Sequence, residues 1–176
     1  MDIIRDWFER MRSAKAITDT KGNRACLRLL HLYLAVAFPP PTGRQLTRSG
    51  CPRGFTVVRE MEAVVNELIK LNPRVKPNST TVLLLLRHLR QTSKCADNAD
   101  RLVVRYRRLY GDGVDDGRVR LLLAGFAIKQ NNPKVFRRAL VSPFTPTGVR
   151  WNGEALVRRR ARLMKKRPSW LHGDTN

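Results

Sequence analysis

Arg101, Arg105 and Arg108 recur at steps of four and three residues, the spacing that lines side chains along one face of an α-helix. A guanidinium is a permanently charged planar fork that donates two parallel hydrogen bonds, so such a row suits phosphate oxygens. Arg107 is read as standing beside it, and Arg137 and Arg138 add two more guanidiniums on a short helix begun by Pro133. A second cationic row, Arg158, Arg159, Arg162, Lys165 and Lys166, shares one face of a helix read over 153–166. These residues are the candidate phosphate contacts. The same C-terminal run, Arg158, Arg159, Arg160, Arg162, Lys165, Lys166 and Arg167, also reads as a nuclear-import signal for the acidic groove of an import receptor. Arg160 falls at the apolar edge of that helix, where it must snorkel or pair with an acid.

Other chemistries find less support. His31, His88 and His172 have no Cys, His or Asp at metal-ligand spacing, so no metal site and no cofactor are expected. No serine sits in a glycine-flanked elbow. Glu60 and Glu62 fall on different helix faces and make no acid–base pair. GDGVDDG (111–117) has neither the lysine of a phosphate loop nor the ligand spacing of a calcium loop. It reads as a turn between helices, with its aspartates capping the next one. No catalytic residue is assigned, and the chain is expected not to be an enzyme.

The charge balance explains why the arginines matter. The 176 residues carry 35 basic and 14 acidic groups, a formal net of +21, and 26 of the basic residues are arginine. Residues 1–100 hold a net of +8 and the shorter remainder +13. Such an excess strains a compact chain by self-repulsion unless a polyanion neutralises it, which points to RNA, DNA or an acidic membrane surface. Apolar content of 42% is enough for a packed core. Three widely spaced cysteines, Cys26, Cys51 and Cys95, suit free thiols in a reducing compartment. The charged N-terminus does not read as a signal peptide, and the longest apolar run, Leu32 to Phe38, is short of the ~20 residues of a bilayer span. The expected location is intracellular, in the cytoplasm, with the nucleus as a further compartment.

The elements that must position the cations follow from helical periodicity. Ile3, Ile4, Trp7, Phe8 and Met11 mark an amphipathic helix over 2–16, either packed on the body or presenting Trp7 and Phe8 to a partner. A helix over 24–38, with Asn23 as its cap, is apolar nearly all round and is expected to be central. PPPTGRQLTRSGCPRG (39–54) is a loop. Val57, Val58, Met61, Val64, Val65, Leu68 and Leu71 stripe a helix ended by Asn72-Pro73. Ser79 or Thr80 caps the next, where Val82 to Leu86 also allows a short buried strand. In DRLVVRYRRLY (100–110), Leu102, Val103, Tyr106, Leu109 and Tyr110 form the buried side, Asp97 or Asn98 the cap and Gly111 the stop. Helix 116–130 packs through Val119, Leu122, Leu123, Phe126 and Ala127. Tyr33, Tyr106, Tyr110 and Trp151 can stack bases where exposed, though periodicity buries Tyr106 and Tyr110. The sum is an all-α protein, a compact bundle of about seven helices. It is divided into a helical core domain (1–149) and a basic C-terminal helix with a short frayed tail (150–176).

NADRLVVRYRRL (98–109) resembles the basic helix of influenza-type matrix proteins, whose pattern D-R-x-V-x-x-Y-R-basic-L is met by Asp100, Arg101, Val103, Tyr106, Arg107, Arg108 and Leu109. The resemblance covers this one helix. It implies a viral matrix or accessory protein, all-α, with a nuclear signal and ribonucleoprotein contacts on that helix, layered beneath an envelope. Composition and resemblance leave three readings. The first is an RNA-binding protein that contacts phosphates, across a duplex backbone or on single strands, because an α-helix fits poorly in the narrow major groove of A-form RNA. The second is a matrix-type structural protein on acidic lipid, self-associating as a homo-oligomer. The third is a protein–protein adaptor that uses Trp7 and Phe8.

Overall fold

The computed structural model describes Asp6 and residues 20–40, 54–90 and 92–141. Every regular element among them is helical: α1 (Thr20–Ala37), α2 (Gly54–Leu71), α3 (Ser79–Leu89), α4 (Cys95–Tyr110), α5 (Gly117–Gln130) and α6 (Pro133–Val141), with a 3-10 turn at Asp112–Val114. The all-α expectation therefore holds. The helices expected over 2–16 and 153–166, and the expected domain boundary near 149, lie outside the described residues. The chain groups into two compact units, 1–88 and 89–176.

In the first unit α1 buries a single stripe, Cys26, Leu30 and Leu34, at four-residue steps. The expectation that it is apolar all round and central is not met, because Leu32 is 62% and Val36 79% exposed. Arg24 and Arg28 precede them at the same four-residue step and are exposed, so their guanidiniums hold that face in water. Asn23 does not cap α1, which begins a turn earlier; its side-chain oxygen accepts from Asn72 Nδ2 at 3.1 Å. The α2 stripe is as expected, with Val58, Met61, Val64, Val65 and Leu68 buried. The cap of α3 is Asn78, whose Oδ1 accepts from the Thr80 and Thr81 backbone N–H groups at 3.0 and 3.2 Å. Val82, Leu85, Leu86 and Leu89 are buried at the three- and four-residue spacing of a helix, so the strand alternative is not adopted. Thr81 lies fully buried in α3 with its hydroxyl 2.8 Å from His31 Nε2 of α1.

In the second unit the helix buried nearly all round is α5, from Val119 to Ile128. Asp116 caps it by accepting from the Arg118 and Val119 N–H groups, and Asn131 ends it in the left-handed conformation, φ 57°. Asn132 Oδ1 then accepts from the Val135 N–H at 3.1 Å and opens α6, whose Val135, Phe136 and Ala139 are buried. Helix α4 packs against α5 through Cys95, Ala96, Ala99, Leu102, Val103 and Tyr106. Gly111, at φ 85°, stops it as expected, a conformation that costs a residue with a Cβ. Asp97 and Asn98 lie inside α4, not before it, and no side chain local to its start caps it. The cap comes from Gln130 at the far end of α5: its Oε1 accepts from the Ala96 N–H at 2.7 Å. Its Nε2 donates to Asp97 Oδ2, and Asn132 Nδ2 donates to Asp97 Oδ1 at 2.8 Å.

Candidate functional site

With Gln130 fixing one end of α4 and Gly111 the other, the outward face of the helix is determined. Arg101, Arg105 and Arg108 are exposed on it, within about 60° of helix circumference at 100° per residue. At about 1.5 Å of rise per residue, the row from Arg101 to Arg108 is roughly 10 Å long. Arg105 places its guanidinium 5.8 Å from the centre of the Tyr106 ring. Tyr106 itself is buried, its ring tilted at 54° against that of the half-buried Tyr110 with centroids 5.5 Å apart, so the tyrosines support the helix from within. Leu109, expected on the buried side, is 62% exposed. It lies about 70° from the centre of the stripe set by Ala99 and Tyr106, at the margin of the packed face.

Arg107 is not beside the row. It turns to the opposite flank, where its Nε is 2.5 Å from Asp112 and its Nη1 3.8 Å from Asp115. Arg138 likewise reaches across to α4, its Nη1 2.6 Å from Asp100 Oδ2. Burial pushes the Asp100 carboxyl above its ordinary pKa, with the Arg138 charge pulling the other way. Arg137 is exposed on α6, as is Lys134, which sequence reasoning did not single out.

Among the described residues, the second unit's five acids are all engaged. Asp97 holds Gln130 and Asn132. Asp100 holds Arg138, and Asp112 holds Arg107. Asp115 holds Arg120 at 3.2 Å, a pair whose side chains are only 8% and 5% exposed. Asp116 caps α5 and pairs with Arg118 at 2.8 Å. None of these carboxylates serves Arg101 or Arg108. The burial of Arg120 was missed, although its place next to Val119 and one turn before Leu123 and Ala124 is a signal for it.

Comparison with protein-family models, curated proteins and solved structures gives no match.

Arg158, Arg159, Arg160, Arg162, Lys165, Lys166 and Arg167, and likewise Trp7 and Phe8, lie outside the described residues. Among the described residues no three His, Cys, Asp or Glu side chains gather as a metal site. No helix there is long and apolar enough to cross a membrane. His31 and His88 sit in the first unit, and burial lowers the pKa of both. Cys26 and Cys95 are buried thiols whose pKa burial raises, which keeps them protonated and unreactive.

Proposed function

We propose that this protein binds RNA through its phosphates, without catalysing a reaction, as a basic component or accessory factor of a viral ribonucleoprotein. The reading is carried by one observation: the five described aspartates of the second unit engage Arg107, Arg118, Arg120, Arg138 and the helix ends, while Arg101 and Arg108 stand exposed without a carboxylate partner among the described residues. Guanidiniums held on a packed helix and left uncompensated are pre-organised for an external anion, because the ordering cost of their backbone is met by folding. The C-terminal cluster Arg158, Arg159, Arg162, Lys165 and Lys166 is proposed as a second contact and, with Arg160 and Arg167, as the element an import receptor would read.

The test is RNA affinity measured against salt, beside flotation with vesicles containing acidic lipid. The proposal expects RNA affinity that falls steeply with salt, and its loss in the Arg158→Glu/Arg159→Glu/Arg162→Glu variant. Vesicle binding with no RNA affinity would instead favour a matrix-type role on acidic lipid. Neither activity, with a partner that depends on Trp7 and Phe8, would favour an adaptor.

A further inference from the structure

The outer strip of α4 carries more than charge. Val104 is 43% and Leu109 62% exposed, and with Arg101, Arg105 and Arg108 they fall within about 140° of the helix circumference. All four basic residues of this helix are arginine. We propose that this strip holds a short run of single-stranded RNA in preference to a duplex, with bases laid against Leu109, Val104 and the guanidinium planes and phosphates on the guanidinium edges. The inference rests on the RNA-binding reading and names the form of RNA.

A duplex encloses the faces of its bases and offers the outside phosphate, ribose and polar base edges, so Leu109 pressed against it loses water and gains little apolar contact. An unpaired base presents a flat face that an apolar side chain or a guanidinium plane can cover, whatever the base. The mixture of exposed leucine, valine and arginine on one strip therefore matches a single strand. An acidic membrane is the poorer match. Its charge attracts lysine and arginine alike, which leaves the all-arginine composition without a role. Two apolar side chains five positions apart also give far less apolar area than the continuous face of an interfacial helix.

The test uses the full-length protein and fluorescence anisotropy with three probes: a short oligouridine, a duplex RNA of the same length, and vesicles of mixed phosphatidylserine and phosphatidylcholine. Two variants separate plane and apolar contact from charge, Arg101→Lys/Arg108→Lys and Leu109→Ser. Each changes exposed side chains, and circular-dichroism melting confirms that each is folded. The expected result is a preference for the oligouridine over the duplex of about fivefold or more at matched salt. Each variant is expected to lower oligouridine affinity by about threefold or more and duplex affinity by a smaller factor, so that the preference for the single strand narrows while the salt slope, which counts charges, is kept. Equal or tighter binding of the duplex, or two folded variants that bind oligouridine like the wild type, overturns the single-strand assignment while leaving RNA binding intact. Vesicle binding without affinity for either RNA overturns both.

Discussion

Arg107 Nε lies 2.5 Å from Asp112 Oδ1 across the turn that follows α4. This contact divides two neighbouring arginines between two roles. Arg107 fastens the end of α4 to the 3-10 turn, and Arg108, one residue on and about 100° round the helix, is exposed without a carboxylate partner among the described residues. Removing each should therefore read out differently. Arg107→Ala is expected to lower stability by about 0.5–1 kcal/mol, since the pair is partly exposed and screened by solvent. Its RNA affinity should change less than that of Arg108→Ala. Arg108→Ala is expected to melt like the wild type and bind RNA more weakly. Thermal melting and anisotropy on the same two samples check both halves.

The Asp115–Arg120 pair is the most buried ion pair among the described residues of the second unit. Truncating one member leaves the other charged and out of water. Arg120→Ala is expected to destabilise the protein by about 3 kcal/mol or more, and Asp115→Ala by a similar amount. Replacing both with apolar residues of matched volume, Asp115→Leu/Arg120→Met, should recover most of that loss. Urea melts of the three variants check this; a double variant as unstable as the worse single one would show that the pair does more than satisfy itself.

Gln130 joins the end of α5 to the start of α4, where the N-cap residue Lys94 makes no side-chain cap of its own. Gln130→Ala leaves the Ala96 N–H without an acceptor and removes a donor from Asp97. A loss of about 1–2 kcal/mol is expected, the range of a helix cap together with an unsatisfied buried donor. Amide exchange should rise first at Ala96 and Asp97. Unchanged exchange there would mean that the cap is supplied another way.

Acid should loosen the first unit. Burial lowers the pKa of His31, and for His88 burial and the Arg87 charge lower it against a hydrogen bond to the Phe38 backbone that raises it. A histidine whose folded pKa lies below its unfolded value takes up a proton on unfolding. Its contribution to stability is complete above the ordinary imidazole pKa of about 6.5 and falls as pH drops below that value. Melting temperature should therefore decline between about pH 7 and pH 5, and a His31→Gln variant should show a shallower decline. A melting temperature flat across that window would contradict the buried placement of the two rings.

The sequence was readable where the determinant was local. The α2 stripe from Val58 to Leu68, the Gly111 stop, the Asp116 cap and the Pro133 start all follow from residues within a turn of one another. It misled where a partner distant in sequence decides. Asp97 was read as a cap because it precedes an apolar stripe, yet the α4 start is satisfied by Gln130, 33 residues away from Asp97. Periodicity placed Leu32 and Val36 on a central helix, but periodicity measures which residues can be buried, not which ones meet a neighbour. Among the arginines, helical spacing separated the row Arg101, Arg105 and Arg108 from the core. It could not show that Arg107 and Arg138 turn inward to Asp112 and Asp100.

The central claim is that the outer row of α4 meets phosphate. It is tested most directly by the slope of log affinity for a single-stranded RNA against log salt in the wild type and in Arg101→Glu/Arg108→Glu. Each phosphate contact on a single strand contributes about 0.7 to that slope, so the account predicts a decrease in its magnitude of about 1–1.5 with folding intact. A double variant that binds RNA with the wild-type affinity and slope would contradict it.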